Sequence, residues 1–229
     1  MTKPGTALLA LLLAALSAAA GAAAPVAGET FVYRVSNGYN KIVLGKIEYR
    51  VDKVDAGRVA VSVTTDVPAL GGARSEVYDS DGNWLRHALT NRDQPVDYEF
   101  APPYVAYALP LDTGKSWSVR VNATNPVTGQ RNSVRVDGDV VGAERITVPA
   151  GSFDTLKIRR NVYAGDRGTF TLETTIYETE WYAPALGRAV RMETKSDYLD
   201  SSRSRGGAFG GGLIVNGDWN VFELASITK

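Results

Sequence analysis

The sequence predicts an all-β protein: a strongly curved antiparallel sheet, or an open half-barrel, of about eleven strands behind an export signal. Three observations carry this. From Glu29 onward the apolar residues recur every second position. Turn-forming clusters separate the alternating runs. No amphipathic helical stretch follows the N-terminal segment.

The first residues come in a diagnostic order. Lys3 supplies a positive start, residues 7–16 are an unbroken apolar run, and residues 18–24 are nearly all small. This is the order of a secretory signal peptide. A ten-residue apolar core is too short for a bilayer-spanning helix, which needs ~20 residues. The segment 1–24 therefore reads as a signal, with cleavage expected between Ala20 and Gly28 and a single β domain in 25–229. The implied location is the bacterial periplasm or the exterior.

The chain has 229 residues and no cysteine. Thiol nucleophiles, thiolate metal sites, disulfides and lipid attachment through an N-terminal cysteine are thereby excluded. Losing Lys3 with the signal leaves 24 basic side chains against 25 acidic ones. So small a net charge provides no field to attract nucleic acid or an anionic membrane.

The strands follow in order. In 41–53, Val43, Ile47, Tyr49 and Val51 share one face, and Lys46, Glu48 and Arg50 the other. Val59, Val61 and Val63 repeat the pattern, as do Trp117, Val119 and Val121, and Val190 with Met192. Such alternation suits an antiparallel sheet with one wet face. Ser36-Asn37-Gly38, Asp55-Ala56-Gly57, Asp81-Gly82-Asn83 and Asn125-Pro126 mark turns between them. Residues 98–110 hold Tyr98, Phe100, Tyr104 and Tyr107 among Pro102, Pro103 and Pro110, so a connection or an edge is expected there. These four aromatics are the candidate ligand-binding residues. They would either gate an apolar cavity or form a local plug over the sheet. Residues 201–212 are Ser, Arg and Gly and read as a flexible loop before a last strand over 213–227. An internal echo at a spacing near 85 relates 28–95 to 114–199: Gly28, Phe31, Arg34 and Val35 match Gly114, Trp117, Arg120 and Val121. A duplicated meander would produce this, and so would generic strand alternation.

Candidate chemistry is sparse. His87, the one histidine, lies on the strand 84–90 in phase with Leu85 and Leu89, with no Gly-x-Ser-x-Gly elbow elsewhere, and reads as structural. Asp79-Ser80-Asp81-Gly82-Asn83 lacks the spacing of a helical calcium loop and reads as a tight hairpin turn. Glu178 and Glu180 lie in 169–181, where Phe170, Leu172 and Ile176 would carry both acids inward. Two carboxylates facing a cleft are the acid and base of a glycosidase, at separations of about 5–10 Å. A β-bulge near Ile176 is the simpler expectation, because it buries Tyr177 and Trp181 and avoids burying two unpaired acids. No catalytic residue, metal ligand or cofactor is expected.

Three motifs remain. They are Pro110-Leu111 with Gly114-Lys115-Ser116-Trp117; Glu144 with Val148-Pro149-Ala150-Gly151-Ser152-Phe153; and Trp181-Tyr182-Ala183-Pro184 with Gly187, Val190 and Arg191. Their order and spacing resemble a family of exported bacterial β-rich proteins of unknown function. Relatives of this kind are similar to the periplasmic lipoprotein-carrier architecture, which implies a curved antiparallel sheet with an apolar concave face. This chain has no clear lid helix.

Three functional readings stand at this stage. The first is a non-catalytic exported envelope protein that binds an apolar or amphipathic ligand, such as a lipid, in its curved sheet. The second is an envelope assembly module that binds another protein. The third is a carbohydrate-active enzyme using Glu178 and Glu180. Neither nucleic-acid binding nor a transmembrane span in the mature chain is expected. N-terminal sequencing of envelope-fractionated protein should find a start between Ala20 and Glu29; an intact Met1 would contradict the export signal.

Overall fold

The computed structural model describes residues 23–89, 96–166, 172–200 and 213–229. Most of the segment 1–24 expected to be an export signal, Phe170 and the Gly-rich stretch 201–212 lie outside the described residues. Twelve strands occur among the described residues: β1 (Thr30–Asn37), β2 (Val43–Asp55), β3 (Arg58–Thr65), β4 (Arg74–Asp79), β5 (Trp84–Leu89), β6 (Val96–Tyr104), β7 (Ser116–Thr124), β8 (Arg131–Val148), β9 (Gly151–Asp166), β10 (Leu172–Ala183), β11 (Arg188–Asp200) and β12 (Leu213–Thr228). Each pairs antiparallel with its sequence neighbours, and β1 also pairs with β12 from Thr30↔Thr228 to Asn37↔Asn220. The sheet is thus a closed up-and-down barrel of twelve strands, not the expected open half-barrel of eleven. Closure removes the row of unpaired N–H and C=O groups that an open edge would present.

Two features of the sequence permit closure. Bulges bend the strands, among them Val51/Lys53 between β2 and β3 and Val140/Gly142 between β8 and β9. The proline-containing segment also contributes a wall strand. β6 pairs with β7 only through Glu99↔Thr124, Phe100↔Ala123 and Ala101↔Asn122. The ladder stops at Pro102 and Pro103, which have no N–H to donate. Beyond Tyr104 the chain leaves the wall and turns inward, and the Trp117 indole donates to the Val105 carbonyl at 3.2 Å. The expectation of a connection or an edge is therefore corrected: the segment is first a strand of the closed wall and then an inward loop.

The inner face carries the core in two clusters. One gathers Phe31, Tyr33, Val35, Ile47, Val63 and Leu224; the other gathers Trp84, Phe100, Tyr104, Val134, Val162 and Ile176. The tetrapeptide Pro-Ala-Leu-Gly occurs twice, as 3₁₀ turns Pro68–Leu70 and Pro184–Leu186, each closed by a left-handed glycine, Gly71 or Gly187. Gly187 also lets the backbone of Ala23 pass against it, where a Cβ would stand 2.1 Å from the Ala23 oxygen. Asp79 folds the β4–β5 turn by accepting the amides of Asp81 and Asn83, as the hairpin reading expected.

Trp181 and Trp117 differ in role. Trp181 is 7% exposed, donates its indole N–H to Glu144 at 3.0 Å, and is covered by Lys157 and Arg191. Trp117 is half-buried and lies on Gly138, its partner across β7 and β8. A Cβ at Gly138 would stand 2.2 Å from its ring. Trp181→Ala should lower stability by about 3–5 kcal/mol, the range for a buried large aromatic, and Trp117→Ala by less. Gly138→Ala should also lower the urea midpoint by expelling the Trp117 ring; three unchanged midpoints would refute the anchoring role of both rings.

Candidate functional site

Strand alternation brings charged side chains into the lumen at apolar positions. On β9, Arg160 stands between the inward Ile158 and Val162; on β10, Glu178 and Glu180 stand between Ile176 and Tyr182. The β9–β10 register runs unbroken from Thr174↔Ala164 to Tyr182↔Leu156, so no bulge occurs near Ile176. The bulge lies at Trp181/Tyr182, on the β11 side. The expected outward phase is therefore corrected: both acids point inward, and Tyr177 is exposed. They are tolerated there because Arg160, 1% exposed, neutralises them. Its Nε donates to Glu178 at 2.7 Å, one Nη donates to Glu180, and the other donates to the Ala106 carbonyl at 3.1 Å.

The inward loop completes this network. The Tyr104 hydroxyl donates to Glu178 at 3.1 Å and the Tyr107 hydroxyl to Glu180 at 2.7 Å. Burial, and then the adjacent glutamate charge, pushes both phenols well above their ordinary value. Burial opposes the charge on Arg160, but Glu180 and Glu178 outweigh it and hold the guanidinium more firmly protonated than usual. With both carboxylates occupied by one guanidinium and a tyrosine each, neither is a free acid or base. The glycosidase reading gains no support from this geometry.

A second network surrounds Glu76 of β4, whose side chain is fully buried. Arg74 donates to it through Nε and Nη2 at 3.0 and 2.9 Å, Tyr78 donates its hydroxyl, and the His87 Nε2 lies 3.5 Å away. Burial alone would raise the Glu76 pKa. The His87 and Arg74 charges and the Tyr78 hydrogen bond outweigh burial and hold it below its ordinary 4.5. His87 and Leu89 line the smaller cavity together, as their expected shared face implies, and Trp84 joins them there although it differs in parity, because the registers of β5 with β4 and β6 both slip between Trp84 and Arg86. The slip places the His87 ring flat on Trp84 at 3.8 Å, and Trp84 stacks on Tyr104 at 4.1 Å. A continuous stack of three rings thus joins the two networks across the lumen.

Between the networks and the barrel end that carries the N-terminal segment lies a cavity of about 220 Å³. Phe31, Tyr33, Tyr49, Val51, Val59, Val61 and Trp84 form its apolar wall; Glu180 and Arg188 line its polar part, and Ala23, Ala24 and Pro25 lie at its mouth. A smaller space of about 110 Å³ reaches toward the other end and shares Tyr49, Trp84, His87, Glu180 and Met192 with it. Of the four aromatics singled out from sequence, Tyr107 reaches the larger cavity. Tyr98, Phe100 and Tyr104 are packed in the second core cluster. Sequence reading passed over Arg160, Arg188 and Glu76. For Arg160 and Glu76 a signal existed, a charge in phase with large inward neighbours; for Arg188 there was none. Among the described residues no group of three His, Asp or Glu side chains is placed to hold a metal.

These features define a class: a closed antiparallel meander barrel with a charged, aromatic lumen and one apolar-walled cavity at its mouth. Residues 110–203 match the DUF3108-like family model, the stretch that carries the three motifs. The fold is shared with a candidate lipoprotein from Parabacteroides distasonis ATCC 8503 (TM-score 0.53, 16% identity, covering 89% of this chain and 96% of that one). A candidate exported protein with a YmcC-like fold from Bacteroides fragilis NCTC 9343 aligns with TM-score 0.49 at 17% identity, over 89% of this chain and 97% of that one. The hypothetical lipoprotein YmcC from Escherichia coli K12 aligns with TM-score 0.40 at 11% identity, over 88% and 85%. No curated protein matches the chain.

Replacing Arg160 with Met leaves two carboxylates buried without a counter-ion and should cost about 3–5 kcal/mol. The Glu76 carboxyl has a folded-state pKa below its unfolded value, so its contribution is present above pH 4.5 and is lost as pH falls through the folded value. Glu76→Gln should therefore lower stability at neutral pH and flatten the loss below 4.5; a variant whose acid limb matched wild type would refute this role of Glu76.

Proposed function

We propose that the protein is an exported, non-catalytic barrel of the cell envelope that holds an amphipathic ligand in the mouth cavity. The observation that carries this is the cavity itself, with aromatic and valine walls and one polar side. At about 220 Å³ it is smaller than the ~300–1,000 Å³ of sites that enclose a drug-sized molecule, which suits one short chain or one end of a longer ligand. Tyr107 contacts the ligand, and Tyr98, Phe100 and Tyr104 support the wall behind it. Export is supported by the N-terminal pattern and by the descriptions of the similarly folded proteins as candidate lipoprotein or exported protein.

The outer wall supports a water-facing barrel. Pairs such as Arg34–Glu223, Arg145–Asp154 and Arg159–Asp139 lie outside and the two apolar core clusters inside, the reverse of a barrel set in lipid. No helix among the described residues is long and apolar enough to cross a membrane. The assembly reading has little room for strand addition, because closure pairs the strand edges except along the part of β7 that precedes Asn122. Native mass spectrometry of protein purified from its own envelope should show the chain with a small amphipathic adduct. A bare chain would overturn the ligand reading, and a complex with another polypeptide would favour the assembly module.

A further inference from the structure

Among the described residues three lumen arginines differ in circumstance. Arg160 is neutralised by Glu178 and Glu180, and Arg74 by Glu76 with Asp97 nearby. Arg188, at the start of β11, has no carboxylate partner among the described residues. Its guanidinium lies 4.0 Å from the Phe31 ring centre, with Tyr49 and Tyr33 at 5.3 and 5.4 Å. Its Nε donates to the Tyr33 hydroxyl at 2.9 Å, and that hydroxyl donates to the Ala189 carbonyl at 2.6 Å. Aromatic faces attract a cation, but they do not accept the directed hydrogen bonds of a guanidinium edge. Among the described residues only the Nε–Tyr33 hydrogen bond engages the guanidinium, and the side chain lines the cavity.

The acids on the same cavity wall are engaged elsewhere or lie at the rim. Glu180 is bound by Arg160 and Tyr107, Asp79 accepts the turn amides, and Glu29 accepts the Val26 amide. Asp81 stands on the exposed turn. We propose that Arg188 makes the cavity a site for an anionic head group, a carboxylate or a phosphate, carried on an apolar chain that lies against Phe31, Val51, Val59 and Val61. A guanidinium edge matches either oxyanion with two parallel hydrogen bonds, and removal from water strengthens the attraction. Burial and the rings hold the orientation, since Nε is already committed to Tyr33. This assignment rests on the reading of the cavity as a ligand site and adds the chemistry of its head group.

Calorimetric titration of the purified exported chain with octanoate, octyl phosphate, octanol and octyltrimethylammonium tests it. At least one of the two anions should bind ten or more times tighter than octanol, and the cation more weakly than octanol. The stronger anion identifies the head group as carboxylate or phosphate. Arg188→Met should bring the ratio of anion to octanol affinity to within twofold of one, while Arg188→Lys, which keeps the charge and loses the fork, should retain part of it. Added salt should weaken the anion and leave octanol unchanged in wild type, a comparison that needs no variant to fold. Equal affinities for octanol and both anions in wild type, or an anion advantage surviving in Arg188→Met, would overturn the head-group assignment and leave the apolar cavity as a ligand site. Failure of all four probes to bind would overturn both.

Discussion

A sheet closed from twelve strands encloses a wider space than the small aliphatic layers that fill narrow barrels. In this protein the space is taken up by long side chains with polar tips, and every such tip removed from water needs a partner. Arg160 is the centre of that arrangement. Standing on β9, it binds two acids of β10 and the carbonyl of Ala106 in the loop that enters from β6. One guanidinium thereby ties the wall to the plug and makes two inward acids admissible on β10.

The plug exists because of a local feature of the wall. Pro102 and Pro103 cannot continue the β6–β7 ladder, so the chain leaves the sheet and delivers Tyr107 to Glu180. Tyr104, the last residue of the strand, stacks on Trp84, which stacks on His87 beside Glu76. Backbone chemistry at two prolines thus sets the composition of the lumen, and the lumen sets the floor of the cavity. A fully packed interior of this kind would leave no site. The larger of the two spaces described lies at the barrel end where Ala23–Pro25 and the 3₁₀ turn Pro184–Leu186 meet.

The two halves of the chain contribute different chemistry to that space. The segment 110–203, which matches the DUF3108-like model, holds Arg160, Glu178, Glu180 and Arg188. The earlier strands and the inward loop supply most of the rings: Phe31, Tyr33, Tyr49, Trp84, Tyr104 and Tyr107. The residues matched by the internal echo lie on or just before β1 and β7, six strands apart in a barrel of twelve. A fold of this type hosts whatever its lumen residues can bind. In this lumen they combine aromatic walls with a guanidinium that has no carboxylate partner among the described residues.

The alternation of Val43 to Val51, Val59 to Val63 and Trp117 to Val121 made the all-β antiparallel character legible from the sequence, because a strand side chain reports its face by parity alone. The turn at Asp79–Asn83 was legible for the same local reason. Parity has no knowledge of partners across the sheet, and that limit explains what was misread. An acid in an inward phase looks costly in one dimension, so Glu178 and Glu180 were placed outward; Arg160, 18 and 20 positions away, makes the inward phase stable. Trp84 was not expected on the face of His87 because a register slip is a relation between two strands and leaves no mark on one. Closure likewise depended on the contact between β1 and β12, at opposite ends of the chain. The sequence by itself determined the alternating strands and the turns between them, since those are local properties of backbone and side chain, though not that the proline-bearing segment would enter the wall as β6. Only the tertiary structure decided which charges meet, that the sheet closes, and that Arg188 faces a cavity whose carboxylates are engaged elsewhere or lie at its rim, since each is a relation between residues far apart in sequence.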